Sequence, residues 1–164
     1  VRLGISPMKP MEYILGYMLS IIPIILIQNI LFFILAIILG LSFSINIIWA
    51  ILVSIVIAIL FIAIGIIIGS ISSEKASSVI SSIVVQLVCF TSGMYFPRKS
   101  LGNVFGKICE YLPFESCLTI LKGIMNNNLE SITPRNIAIF VIYTIAILVM
   151  SVNIFKNKMI SDNK

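Results

Sequence analysis

The sequence contains no histidine and few charged residues, and both shortages limit the chemistry open to the chain. Histidine is the usual general base near neutral pH and the commonest metal ligand. Three cysteines are present, Cys89, Cys109 and Cys117, but no two of them have the close spacing of a zinc site. No acidic residue lies within the long apolar runs, so a proton relay there lacks its carboxylates. These absences argue against an intramembrane enzyme, a bound metal and an ion-coupled site.

The string GNVFGK, from Gly102 to Lys107, superficially resembles a nucleotide-binding loop. A phosphate-binding loop reads GxxxxGK[ST] and joins a strand to a helix. Here the two glycines are one residue too close together, and Ile108 stands where a hydroxyl would bind magnesium. We therefore expect no cofactor site in this chain, and any use of ATP must come from a partner.

Apolar sequence is what the chain has in excess. Of its 164 residues, 60% are hydrophobic and 10% are charged, whereas about a quarter of the residues in soluble domains are charged. A membrane-spanning helix needs about 20 mostly apolar residues, and the sequence GLSFSIN at 40–46 divides the longest uncharged run in two. The pattern predicts an all-α, polytopic transmembrane bundle with four membrane helices at 13–39, 47–69, 77–96 and 136–155.

Four spans place both termini on the same side of the membrane. Basic residues are nearly balanced between that side and the segment 97–135, so the positive-inside rule favours cytoplasmic termini only slightly. The net charge of +5 does not require nucleic acid as a partner, because basic residues beside membrane helices bind anionic lipid head groups. We expect membrane lipid as a partner and no nucleic acid.

Segment 97–135 predicts a short helical hairpin between the last two spans. Apolar residues recur at helical spacing from Leu101 to Leu112, Pro113 then stops the helix, and a second amphipathic set runs from Cys117 to Met125. Neither helix is long enough to cross a membrane. The hairpin either lies in the interface or dips into the membrane and returns. Cys109 and Cys117 flank its proline, either as free thiols or as a disulfide.

Polar and small residues within the spans each allow two interpretations. In the third span, such residues recur every three or four positions and either line a translocation path or permit close helix packing: Ser78, Ser82, Gln86, Cys89 and Gly93. Gly65 and Gly69 form a small-xxx-small pair with the same packing explanation. In the first span, Pro23 predicts a kink, with the amides of Gln28 and Asn29 turned inward.

The order of these parts resembles the C-terminal two-thirds of an ABC-2-type permease, the membrane subunit of a class of ATP-binding-cassette exporters. Near the start, ISP (5–7) and MEYILG (11–16) resemble the pattern before the family's third membrane helix. Later, SGMYFP (92–97), YLP (111–113) and LKGI (121–124) are similar to the family's run around its external hairpin.

The resemblance implies a permease without its own ATPase site, which moves a substrate out of the cytoplasm while a separate ABC ATPase subunit hydrolyses ATP. It implies a second permease subunit, identical or different, and cytoplasmic termini in a bacterial cytoplasmic membrane. It also implies that the first two membrane helices are missing, so that 1–12 is the end of the ATPase-coupling segment and 156–164 a cytoplasmic tail. The residues that it places nearest the ATPase are Arg2, Ser6, Pro7 and Lys9.

In the same family, the hairpin between the last two spans lies outside and helps to close the exit. The residues that this assigns to an external exit gate are Gly93, Phe96, Pro97, Leu112, Pro113, Lys122 and Gly123. The alternative function is a membrane protein that does not transport, such as an immunity or assembly factor that acts by binding another protein.

Overall fold

A computed structural model describes residues 10–95 and 102–161, and this part of the chain forms helices and turns without a strand. Two short helices come between the third and the last long helix. A single turn of 3-10 helix, Leu129–Ser131, follows α5. The six α-helices in chain order are α1 (Pro10–Ile38), α2 (Asn46–Ile71), α3 (Glu74–Thr91), α4 (Gly102–Tyr111), α5 (Pro113–Met125) and α6 (Pro134–Ser161).

Four of the described helices are long and apolar enough to cross a membrane: α1, α2, α3 and α6. The predicted fold class, an all-α polytopic bundle, is therefore confirmed. Two helix ends differ from the expected ones by five residues or more. Helix α3 ends at Thr91 and not at residue 96, because Gly93 adopts a φ of +76°, a left-handed conformation that cannot continue a helix. Helix α6 runs on to Ser161, six residues past the expected end of the span.

The turn between α1 and α2 is fixed by Gly40. Its φ of +107° suits glycine, and two backbone bonds close the helix end around it. Gly40 N donates to Ile37 O at 3.0 Å, and Leu41 N donates to Ala36 O at 2.9 Å. This pairing satisfies carbonyls that the helix end would otherwise leave unbonded. The GLSFSIN interruption is thus a capped turn between two membrane helices.

The core of the bundle lies along α2 and α6. One cluster of buried residues joins α2 to α5 and α6, and a second joins α1 to α2, with α6 packed against it. Leu60 and Ala63, one turn apart on α2, belong to different clusters and have no exposed surface. Helix α3 has no buried residue. The described chain is therefore built around α2, with α5 inside and α3 at the edge.

Candidate functional site

The hairpin of α4 and α5 turns at Leu112. Its backbone is extended, with φ −83° and ψ 146°, as expected for a residue before proline. Pro113 then opens α5, where its lack of an N–H costs no helical hydrogen bond. Leu112 N donates to Cys109 O at 3.1 Å and closes the end of α4. Two helices thus meet with a single residue between them.

One face of α5 is buried in the bundle. The buried residues recur at helical spacing: Pro113, Ser116, Cys117, Ile120 and Gly123. Cys117 and Ile120 belong to the same core cluster as Leu60 of α2 and Phe140 of α6. Lys122 points away and is exposed. Helix α5 therefore fills the space between α2 and α6.

The contact between α5 and α2 lies near the middle of α2. Phe61, about 15 residues after Asn46, is about 22 Å from the start of the helix along its axis. Its ring stacks against Phe114 of α5, with the ring centroids 6.0 Å apart. A helix lying on the membrane surface would instead contact the ends of the spanning helices. The geometry favours the re-entrant alternative, in which neighbouring protein covers the backbone that enters the membrane.

In α4, the apolar face and the buried face are not the same. Ile108, a member of the apolar set, is 53% exposed, whereas Cys109 is buried. Lys107 is exposed, as expected. Helical spacing identifies apolar faces, but beside lipid an apolar side chain has no preference for the protein interior. Residues 96–101 and the side chains of 102–105 lie outside what the structure describes.

Arg135, at the start of α6, holds the end of α4. Its guanidinium forms an ion pair with Glu110 and lies over the ring of Tyr111, 5.3 Å from the ring centroid. The guanidinium is partly exposed, so the pair contributes little to stability by itself. It nevertheless connects the first helix of the hairpin to a membrane-spanning helix.

Gly123 permits the close approach of α5 to the segment that leads into α6. A Cβ at this position would lie 2.6 Å from Cγ1 of Ile132 and 2.9 Å from Oγ of Ser131. Asn128 N donates to Gly123 O at 2.9 Å and closes the chain over the glycine. Any larger side chain would push the two segments apart.

All three cysteines are free thiols, which decides between the two alternatives for Cys109 and Cys117. Both are buried. A buried thiol is poorly accessible to reagents dissolved in water, so Cys117 is expected to react little with them.

Three members of the polar stripe, Ser78, Ser82 and Gln86, are exposed on α3, whereas Cys89 and Gly93 are half-buried. The Ser82 hydroxyl donates to Ser78 O at 3.0 Å, within the helix itself. Packing within the described chain therefore does not explain the three exposed members. It stays a prediction that the stripe lines a translocation path or packs against a second subunit.

The pair Gly65 and Gly69 also lacks close neighbours. A Cβ added at either glycine would meet nothing within 4 Å in the part of the chain that the structure describes. The expected close helix contact is thus not formed within this part of the chain. Pro23 lies inside α1, which is helical on both sides of it, and the kink expected there stays a prediction.

A groove of about 440 Å³ separates α1 from α2. Gln28 and Asn29 line it from α1, and Ser54 and Phe61 line it from α2. Asn29 Nδ2 donates to Ser54 Oγ at 2.9 Å. The sequence indicated the two amides but not Ser54, since a partner 25 residues away has no helical spacing to reveal it. The only indication of Ser54 in the sequence was that it is a single polar residue within an apolar run.

Six of the predicted site residues lie outside the described ranges 10–95 and 102–161. Four of these belong to the coupling segment and two to the hairpin: Arg2, Ser6, Pro7, Lys9, Phe96 and Pro97. The other predicted gate positions lie at separate places. Leu112 and Pro113 lie at the turn into α5, Lys122 and Gly123 lie near its end, about 15 Å further along the helix axis, and Gly93 follows the end of α3. Their role as a gate stays a prediction.

Comparison with known families matches residues 1–126 to the family described as ABC-2 type transporter. The matched region includes α1 to α5 and ends directly after α5. No curated protein and no solved structure matches the chain.

Proposed function

The chain belongs to the ABC-2 type transporter family, and we propose that it is the permease subunit of an exporter whose ATP hydrolysis takes place in a separate ABC ATPase subunit. A multi-pass membrane domain of this family is a transporter permease and not itself a catalyst. Export, the partner ATPase and the orientation are the proposed parts. Cargo leaves the cytoplasm through the spans, and the hairpin of α4 and α5 closes the exit.

The insertion of α5 between α2 and α6 is the observation that carries this proposal. Its buried face contacts both spanning helices at once, so a relative shift of α2 and α6 must move the hairpin. A packed element of this kind has few arrangements of similar energy, because interiors are dense and do not deform gradually. The hairpin is therefore suited to a gate that opens in a step.

A continuous set of contacts joins the beginning of α1 to this gate. Tyr13 stacks on Phe155 of α6, with ring centroids 4.9 Å apart. Ile14 and Met18 pack with Ala63 of α2, one turn from Leu60 of the cluster that holds α5. We propose that closure of the ATPase pair on nucleotide pushes on residues 1–12 and moves α1 against α2 and α6. For nucleotide binding to drive this movement, the closed and open states of the permease must make different contacts with the ATPase.

The proposal also includes the partners and the orientation. An ABC ATPase contacts the segment 1–12, and a second permease subunit, identical or different, packs against the exposed face of α3. Both termini lie in the cytoplasm of a bacterial cell, and the hairpin lies on the outer side of the membrane. Membrane lipid surrounds the remaining faces.

Single introduced cysteines test the orientation. We expect Lys107→Cys, exposed on α4, to react with a membrane-impermeant maleimide added to intact cells, and Lys156→Cys, exposed near the end of α6, to react only after permeabilisation. The unmodified protein is the control, and its buried Cys109 and Cys117 should contribute little labelling. The reverse pattern would overturn the proposed topology.

Co-purification and reconstitution test the function itself. The permease should co-purify with an ABC ATPase encoded in a neighbouring reading frame, and the pair in vesicles should hydrolyse ATP faster than the ATPase alone. Loss of this stimulation is expected when residues 1–12 are deleted. If the protein binds no ATPase and instead co-purifies with another membrane protein, the result would support the non-transporting alternative, an immunity or assembly factor.

A further inference from the structure

We propose that the groove between α1 and α2 is a lateral binding site for an uncharged amphiphile, a molecule with an apolar chain and an amide or hydroxyl group. This inference rests on the groove alone and requires neither export nor an ATPase partner. Its occupant would enter from the lipid and sit beside the inserted hairpin.

The groove lies within the membrane-spanning part of both helices. Asn29 is about nine residues before the end of α1, and Ser54 is about eight residues after the start of α2, which corresponds to about 12–14 Å from the helix ends. Ile24 and Ile27, on neighbouring positions of α1, are exposed. Within the described chain, the groove therefore opens sideways, at the depth of lipid hydrocarbon chains.

The polar groups of the groove are only partly satisfied by each other. Asn29 Nδ2 donates to Ser54 Oγ, and that hydroxyl donates in turn to Ile51 O at 2.7 Å. Among the described residues, nothing donates to the Asn29 side-chain oxygen, and the Gln28 side chain forms no hydrogen bond. One amide and one further carbonyl thus face the groove with unused hydrogen-bonding capacity.

Unused amide groups at this depth call for a polar partner. Hydrocarbon offers none, so an amide exposed to lipid is unfavourable, and polar side chains within spans commonly mark binding sites or pathways. No charged residue lines the groove, which excludes a charged group in the occupant because nothing would neutralise it. The remaining lining is apolar and includes Ile25, Ile57 and Phe61. The chemistry therefore suits a neutral hydrogen-bonding group attached to an apolar chain.

The size of the groove is consistent with such an occupant. A volume of about 440 Å³ lies within the range of ligand sites, about 300–1,000 Å³. Its length between Ser54 and Ile62 covers about two turns of α2. This space accepts part of an acyl or isoprenoid chain with its polar group near Gln28 and Asn29.

Quenching of a tryptophan in the groove tests the proposal. The single native tryptophan, Trp49, is replaced by phenylalanine, and Phe61→Trp supplies the reporter in the full chain reconstituted in vesicles. Two probes with the same dibrominated stearyl chain are titrated: the amide, which donates and accepts hydrogen bonds, and the methyl ester, which cannot donate. Ile25→Trp provides a second reporter on the opposite helix.

We expect saturable quenching by the amide and only gradual, non-saturable quenching by the ester. Gln28→Leu should weaken the apparent affinity for the amide by about three- to tenfold, the effect of about one hydrogen bond. Asn153→Leu removes an exposed amide from α6 and should leave the affinity unchanged.

Three results would overturn the site. Equal behaviour of amide and ester would show that only the apolar chain is bound. An unchanged affinity of Gln28→Leu for the amide would show that the Gln28 side chain does not recognise the polar group. The absence of quenching by either probe, with both reporters, would show that the groove is covered by protein and closed to lipid-borne molecules.

Discussion

Helices α5 and α3 occupy opposite places in this bundle, although the sequence would suggest the reverse. Helix α5 has 13 residues and cannot span a membrane, yet its inner face is buried between α2 and α6. Helix α3 has 18 residues and is long enough to cross, yet none of its residues is buried. The shorter helix is the core element, and the longer one lies at the edge.

The difference shows that crossing a membrane and belonging to the core are separate properties. Length and apolarity decide whether a helix can cross. They do not decide whether it is inside the bundle, because lipid is as apolar as a protein interior and association depends on packing. Small buried residues on α5, such as Ser116 and Gly123, permit the close packing that α3 lacks within the described chain.

The largest expected effect distinguishes two leucines on these different surfaces. Leu60→Ala should lower the free energy of unfolding by about 2–4 kcal/mol, because Leu60 is 0% exposed and its loss leaves a cavity at the centre of the α5 contact. Leu87→Ala on α3, where the leucine is 59% exposed, should change it by less than about 0.5 kcal/mol. Titration with SDS in mixed micelles, followed by circular dichroism, measures both.

Equal losses for the two leucines would contradict the separation of core and edge. A loss at Leu87 that grows with protein concentration would sharpen it instead, since it would identify a second subunit packed on α3.

A smaller effect is expected where α5 approaches the segment that leads into α6. Gly123→Ala should destabilise the fold by about 1–3 kcal/mol, because the new methyl group would overlap Ile132 and Ser131. Gly69→Ala is the matched control in α2, where the added Cβ meets open space and should be neutral or stabilising. The same SDS titration measures both variants, and a neutral Gly123→Ala would mean that α5 does not fit as tightly as described.

The smallest effect is expected where α4 is held to α6. Arg135→Gln removes the ion pair with Glu110 and the contact with Tyr111, and should cost no more than about 1 kcal/mol because the guanidinium is partly exposed. A double-mutant cycle with Glu110→Gln measures the coupling between the two charges. A coupling far above that value would mean that the pair is shielded from water in the membrane-bound protein.

Several parts of the fold could be predicted because they depend on local sequence. The uncharged runs produce four spanning helices, Gly40 produces the turn between the first two, and Pro113 separates α4 from α5. The end of α3 was wrong by five residues, since SGMY is apolar enough to continue a span but Gly93 adopts a left-handed conformation. A hydropathy profile contains no information on backbone dihedral angles and therefore could not locate this helix end.

The candidate site was only partly predictable. Proline and helical spacing revealed the hairpin, but they did not show which residues of α4 are buried, since the apolar Ile108 is exposed and Cys109 is buried. The partner of Asn29 could not be predicted, because Ser54 is distant in sequence and depends on how α1 leans on α2. Contacts between helices follow from packing, which one-dimensional spacing does not contain.

The sequence by itself determined the membrane environment, the helical class, the hairpin and the family resemblance. These depend on composition, on the length of apolar runs and on residues with fixed backbone preferences. Only the tertiary structure decided that α5 is inserted beside the middle of α2, that α3 stays at the edge, and that three polar side chains meet in a groove. In lipid, hydrophobicity no longer distinguishes inside from outside, so the fit of side chains between helices makes that decision.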